Sequence, residues 1–429
     1  MLERLFGLSE HGTTLRTEVL AGVTTFLTMA YIIFVNPQIL ASTGMDHGAV
    51  FVATCLASAV ASAFMGLYAN YPIAMAPGMG LNAYFAYTVV GQMGYSWQVA
   101  LGAVFLSGLL FLVISVLPIR EAIVNSIPRS LKMAISAGIG FFLGIIALQN
   151  AGVIVANPAT MVGIGNLHAV PTILAAVGFV VMAALVALRV TGAIIIGILG
   201  VAVAGILLGV SQFNGIVALP PSLAPTFLQL DLSGAVHVGL ISIVFAFLFV
   251  DLFDNAGTLI GVAHRAGLLD ARGRLPRLRK ALLADSTMAC LGSALGTSTV
   301  TSYIESAAGV NAGGRTGLTA VVVAVLFLLC LFLAPLATSI PAFATAPALL
   351  FVACLMVRGL AEIDWEDTTE FVPAVVCAVA MPLTYSIAHG IAFGFITYAG
   401  VKLLAGRVRD IHPAVAILAV LFVLKFALI

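Results

Sequence analysis

Long apolar runs, broken by short polar connections, are the dominant pattern along this chain. Crossing ~30 Å of hydrocarbon takes about 20 helical residues, and backbone in lipid must satisfy its own hydrogen bonds, so each run predicts a membrane-spanning helix. Fourteen are drawn: 18–35, 49–68, 72–93, 97–117, 131–149, 171–189 and 193–210 in the first half, then 236–264, 277–296, 298–312, 316–336, 346–361, 371–387 and 389–405 in the second. A further apolar stretch, Pro413–Ile429, follows; it either crosses once more or lies at the interface.

Basic residues orient these segments, because short loops on the cytoplasmic side are enriched in Lys and Arg. With the N-terminus in the cytoplasm, Arg4, Arg16, Arg120, Arg129, Lys132, Arg189, the cluster from Arg265 to Lys280, Arg315, Arg358, Lys402, Arg407 and Arg409 all fall inside, and Lys425 is the exception. The loops assigned outside (36–48, 150–170, 211–235 and 337–345) contain neither Lys nor Arg. The expected location is the cell (inner) membrane, multi-pass, with a cytoplasmic N-terminus. Glu3, Arg4, Glu10, Arg16 and Glu18 precede the first apolar run, so no cleavable signal peptide is expected.

Two segments break the pattern. The third carries Pro77, Gly78 and Gly80, and the tenth opens on the β-branched, polar stretch Thr297 to Thr301. Each stands third in its half. An odd number of helices per half inverts the second copy, and paired interrupted segments mark the central site of a transporter. In such a segment an extended stretch meets a half-helix whose N–H groups face a cavity. The predicted fold is therefore an all-α polytopic membrane protein of about 14 transmembrane segments in a 7+7 inverted repeat, with short extended stretches in segments 3 and 10.

Composition sharpens this picture. Of 429 residues, 62% are hydrophobic and 8% charged, which cannot furnish the polar surface of a soluble protein. A formal net charge of +1 leaves no clustered basic face for a nucleic-acid partner. The five cysteines (55, 290, 330, 354 and 377) lie in or beside apolar runs without CxxC spacing and read as small core residues. The seven histidines show no metal-ligand spacing, so neither a metal nor another cofactor is expected.

Most acidic residues lie in loops or at helix ends, including the run 362–370, which reads as a solvated helix entry. Asp251 and Asp254 in segment 8, Asp285 in segment 9 and Glu305 in segment 10 do not. A carboxylate at mid-membrane costs at least ~2.5 kcal/mol and marks an ion or substrate path. Asp251 and Asp254, three apart, share a helix face. Asp254, followed by Asn255, Gly257 and Thr258, is the better ligand-binding candidate, with Asp251 its neighbour; Asp285 reads as a helix-to-helix hydrogen bond. Glu305 falls inside the interrupted segment, where it can accept from an N–H-rich ligand, titrate, or both. Carboxylates without a nearby arginine suit a neutral or weakly basic ligand and a coupled proton or cation. An anion would want the opposite.

Four separated motifs, in order, carry a resemblance: GlyValThrThrPheLeuThrMetAlaTyrIleIlePheValAsnPro (22–37), AlaMetAlaProGlyMetGlyLeuAsnAlaTyrPhe (74–85), PheValAspLeuPheAsp-x-x-GlyThr (249–258), and ThrSerTyrIleGluSer-x-x-GlyVal (301–310) followed by GlyGlyArgThrGlyLeuThr (313–319). From about residue 3 to 410 the chain resembles the hypoxanthine/guanine/adenine permease branch of the nucleobase:cation symporter-2 (nucleobase-ascorbate transporter) superfamily. The resemblance implies a core domain (1–117 and 236–340) and a gate domain (118–235 and 341–429), with the substrate between segments 3 and 10. It implies that Asp254, with Gly257 three positions on, binds the base, and that the tenth-segment glutamate is Glu305. The uracil branch has a histidine where Thr258 stands, so a histidine-assisted proton step does not carry over; Ser306 replaces an asparagine of some relatives.

The resulting expectation is a secondary active transporter, not an enzyme, importing adenine, hypoxanthine or guanine by proton symport. Glu305 and Asp254 accept from the purine's N–H groups and handle the proton. Ser306 and the stretch Met75, Ala76, Gly78 and Met79 complete the site, and Met75, Phe85 or a segment-8 Phe wall the ring. A homodimer is implied by the family, and membrane lipid is the solvent. The competing reading is an inorganic or organic anion transporter of the same fold, which the carboxylates disfavour. An intramembrane enzyme would need a nucleophile–base pair or metal cluster at depth; a passive channel would show no dependence on a proton gradient.

Overall fold

The computed structural model describes residues 2–116, 127–236, 238–268 and 275–428. The basic positions Arg120, Arg272 and Arg274 and His237 lie outside them, as do the side chains of Phe253, Asp254, His264 and Arg265 within an otherwise described helix.

Each of the fourteen predicted segments has a counterpart. Among the described residues eight helices are long and apolar enough to cross a membrane, beginning with Leu15–Ala41 and ending with Ile387–Leu404, and shorter apolar helices such as Ala193–Leu207 and Thr368–Leu383 accompany them. Only 22% of helix Val170–Ala187 is buried, which leaves an apolar surface suited to lipid. The C-terminal stretch forms helix Pro413–Leu428, packed on Ile387–Leu404.

Segments 3 and 10 are interrupted. The third contains strand β1 (Met75–Pro77), a five-residue helix Met79–Ala83 and a π-helical continuation Tyr84–Gln92. The tenth contains a strand, Val300–Ser302, and the helix Ser306–Asn311. Local chemistry explains both. Pro77 pushes Ala76 toward extended backbone, and Thr299, Val300 and Thr301 are β-branched. A surface hairpin, β2 (Ile154–Asn157) with β3 (Met161–Ile164), was not foreseen within the loop 150–170; Val300–Ser302 is thus β4.

The chain divides into two compact units. The first, Met1–Val116 with Asn150–Ala348, holds the interrupted segments. Its apolar core includes Ala61, Met65, Tyr71, Met75, Leu259, Val262 and Val300. The second unit is Leu117–Gln149 with Leu349–Ile429. There helices Thr368–Leu383 and Ile387–Leu404 pack closely, and Lys402, 1% exposed, pairs with Glu370 at 2.7 Å. Glu370 also accepts from Ser130 and Tyr398, so this end of the run 362–370 is a packed ion pair and not a solvated entry. A buried ammonium requires that partner.

Candidate functional site

Strands β1 and β4 pair antiparallel, with Met75 opposite Ser302, Ala76 opposite Thr301 and Pro77 opposite Val300. Hydrogen bonds extend the pair at both ends. Gly78 N donates to Thr299 O at 2.9 Å, Tyr303 N to Ala74 O at 2.9 Å, and the Tyr303 hydroxyl to Pro77 O at 2.6 Å. Ser62 joins from the second segment: its hydroxyl accepts from Met75 N at 2.9 Å and donates to Met75 O at 3.1 Å. Backbone groups that a broken helix leaves open are thereby satisfied inside protein, as lipid demands. Gly78 is needed here, because a Cβ would stand 2.8 Å from Thr301 Cγ2.

Half-helices lead away from this crossing. Gly78 precedes Met79–Ala83, and Glu305 immediately precedes Ser306–Asn311. Glu305 is half-buried, and the Tyr31 hydroxyl donates to its Oε1 at 2.7 Å. Ser306 is fully buried, and its hydroxyl accepts from Ala74 N at 3.0 Å, tying the tenth segment to the third. Met75, Ala76 and Met79 are buried in the same region of the chain, Met75 within the apolar core, and Phe85 is also fully buried.

The eighth segment is one helix, Val238–Arg265, packed against Met79–Ala83, β4 and Ser306–Asn311. It carries Asp251, 1% exposed, and Asp254, whose side chain lies outside the described residues. Thus the helix bearing both acids borders both interrupted segments. On the same helix, Asn255 is fully buried, and neither its Oδ1 nor its Nδ2 has a hydrogen-bond partner among the described residues. Asp285, in helix Leu278–Leu295, is also fully buried.

Several polar side chains near the strand pair were not singled out from the sequence. Asn36 Nδ2 donates to Thr54 Oγ1 at 2.7 Å and to Thr297 Oγ1 at 2.9 Å. Asn82, in the third-segment half-helix, accepts from Ser298. Asn82 Nδ2, Thr301 Oγ1 and Ser302 Oγ are buried without a hydrogen-bond partner among the described residues. Buried polar groups are normally satisfied by protein or water, so such a cluster provides hydrogen-bonding capacity inside an apolar body. The signal in the sequence was an asparagine within each apolar run, at positions 36 and 82. Among the described residues no group of three His, Cys, Asp or Glu is placed to hold a metal ion.

The chemistry available is recognition and not bond cleavage: a carboxylate beside a strand–helix junction, amide and hydroxyl groups around it, and an acid-bearing helix alongside. Known proteins share this sequence and this fold. The Permease family model (Xan_ur_permease) matches residues 16–393. Adenine permease AdeP of Escherichia coli (strain K12) is 51% identical over 100% of this chain and 96% of its own length. Guanine/hypoxanthine permease PbuG of Bacillus subtilis (strain 168) is 47% identical over 99% of each chain. Among solved structures, the transmembrane domain of the cyanobacterial bicarbonate transporter BicA superposes with a TM-score of 0.68 at 16% identity, covering 87% of this chain and 97% of that one. That likeness shows the 7+7 inverted-repeat fold alone. The chain belongs to the Permease family, within the nucleobase:cation symporter-2 proteins that its first, third, eighth and tenth segments resemble.

Proposed function

We propose that this protein imports a purine nucleobase (adenine, hypoxanthine or guanine) across the cell membrane by proton symport with alternating access. The observation that carries the reading is Glu305, a carboxylate set at the start of a half-helix beside the β1–β4 pair, with the Asp251/Asp254 helix packed on both interrupted segments. Relatives named as adenine and guanine/hypoxanthine permeases at 51% and 47% identity support the substrate class.

In this reading Glu305 and Asp254 accept hydrogen bonds from the ring and exocyclic N–H groups of the base and take up the coupled proton. Ser306 and the stretch Met75, Ala76, Gly78 and Met79 complete its edge. The core is 1–117 with 236–340 and the gate 118–235 with 341–429, and rocking of one against the other gives alternating access. The N-terminus faces the cytoplasm, the location is the inner membrane, and the protein is a homodimer. The fold shared with a bicarbonate transporter does not favour an anion as substrate, because the carboxylates of Glu305 and Asp254 would repel one.

The test is uptake of labelled adenine, hypoxanthine, guanine, xanthine and uracil into cells lacking endogenous permeases, with and without an uncoupler. Accumulation of at least one purine, abolished by the uncoupler, is expected. If no purine accumulates, the substrate class is wrong; if accumulation survives the uncoupler, proton coupling is wrong.

A further inference from the structure

The first segment follows the start of the eleventh and then the tenth. Glu18, fully buried, accepts at Oε1 from Arg315 N at 2.9 Å and at Oε2 from Thr319 N at 3.2 Å and Thr319 Oγ1 at 2.6 Å. One turn further, Gly309 lies so close to Thr25 and Ala21 that a Cβ there would collide with Thr25 Oγ1 and stand 2.5 Å from Ala21 O. Thr28 Oγ1 approaches the backbone oxygen of Glu305 at 3.5 Å. Tyr31 completes the series, donating to Glu305 Oε1 at 2.7 Å.

Tyr31 lies where the first segment breaks. Helix Leu15–Met29 ends one residue before Ala30 and a new helix, Ile32–Ala41, begins just after Tyr31, so this side chain leaves the span at an interruption opposite the interruption of segment 10. It is 1% exposed, which fixes its ring. A carboxylate offers about four lone-pair directions on two oxygens, and a phenol that occupies one of them leaves the rest for another donor. Among the described residues no other side chain donates to the Glu305 carboxylate. The other acids near this half-helix come from neighbouring elements: Glu18, committed to the 315–319 backbone, and Asp251 and Asp254 on Val238–Arg265.

We propose that Tyr31 is a positioning residue of the purine site, its hydroxyl holding Glu305 Oε1 so that Oε2 is presented to the N–H edge of the base. This rests on the purine-transport reading and adds a residue to it. The first segment then does more than brace the tenth: it sets the direction in which the substrate-binding carboxylate points.

The experiment is equilibrium binding of labelled hypoxanthine and adenine to the purified full-length protein, comparing wild type, Tyr31→Phe, Glu305→Gln and the double variant, with thermal stability measured on each. Tyr31→Phe keeps the ring and removes only the hydroxyl. It is expected to weaken binding about tenfold, the size of one hydrogen bond to a charged group. In the Glu305→Gln background the same change is expected to cost less than about threefold, because the group it orients is gone. Wild-type binding with an unchanged Kd in Tyr31→Phe, or a Tyr31→Phe loss equally large in both backgrounds, overturns the inference while leaving the purine reading standing. Absence of purine binding by wild type overturns that reading, and this inference with it.

Discussion

Glu305 was conspicuous in the sequence because a carboxylate within an apolar run is costly unless protein or water receives it. Its surroundings were less legible: Ser306 entered only through the family resemblance, and only the hydrogen bond to Glu305 Oε1 distinguishes Tyr31 from an ordinary packing residue. Asn36 and Asn82 were legible in principle, as amides inside hydrophobic stretches, yet the geometry was needed to connect them with Thr297 and Ser298. If Glu305 and Asp254 bind base and proton, Glu305→Gln and Asp254→Asn preserve shape while removing charge. Each is expected to lower concentrative uptake of labelled purine at least about tenfold, at equal abundance in the membrane, since hydrogen bonds to charged groups contribute ~1.5–3 kcal/mol. Wild-type accumulation in both variants would remove these carboxylates from the mechanism.

Between elements, contacts are set by small residues and by capped helix ends. Helix Ser306–Asn311 lies against Leu15–Met29 because Gly309 presents no side chain. Gly309→Ala forces the two apart at a cost of about 1–3 kcal/mol, the usual range for overpacking. The purified variant is expected to melt at a lower temperature and to lose uptake. Adding Thr25→Ala restores only part of either property, because the backbone oxygen of Ala21 still stands 2.5 Å from the new methyl group. An unchanged melting temperature for Gly309→Ala would refute the close approach.

A second junction lies where helix Thr368–Leu383 begins. Asp367 caps it, accepting from Thr369 N at 2.9 Å and Thr369 Oγ1 at 2.8 Å, and pairs with Arg407 at 2.6 Å. The Thr369 hydroxyl first, then Arg407, hold its carboxyl down at about 2. A depressed folded-state value contributes stability above the ordinary aspartate range near ~3.9 and loses it as pH falls toward the folded value. Wild type is therefore expected to melt above Asp367→Asn by a constant margin from about pH 5 to 8, and the margin to close between about pH 4 and 2. A margin that does not change over the acid range would show that the ionised carboxylate is not what the cap uses.

At the scale of the molecule, span number and the two interrupted segments were readable because lipid imposes a length and a hydrogen-bonding rule on every crossing. Hairpin β2–β3 and the π-helical stretch Tyr84–Gln92 were not, since neither changes the hydropathy pattern and both are decided by local hydrogen bonds. The register in which the third and tenth segments pair was likewise invisible: antiparallel alignment between distant strands leaves no mark in either strand alone. That pairing bears on biosynthesis. Tyr303 and the Pro77 carbonyl it binds are 226 residues apart, so at about 5–20 residues per second the third segment waits roughly 10 to 45 s for its partner to be made. Throughout that interval its extended backbone must be hydrated or held by the insertion machinery, so the third segment is the part of the nascent chain most dependent on assistance, and the first half made alone would lack the partner it needs to settle in lipid.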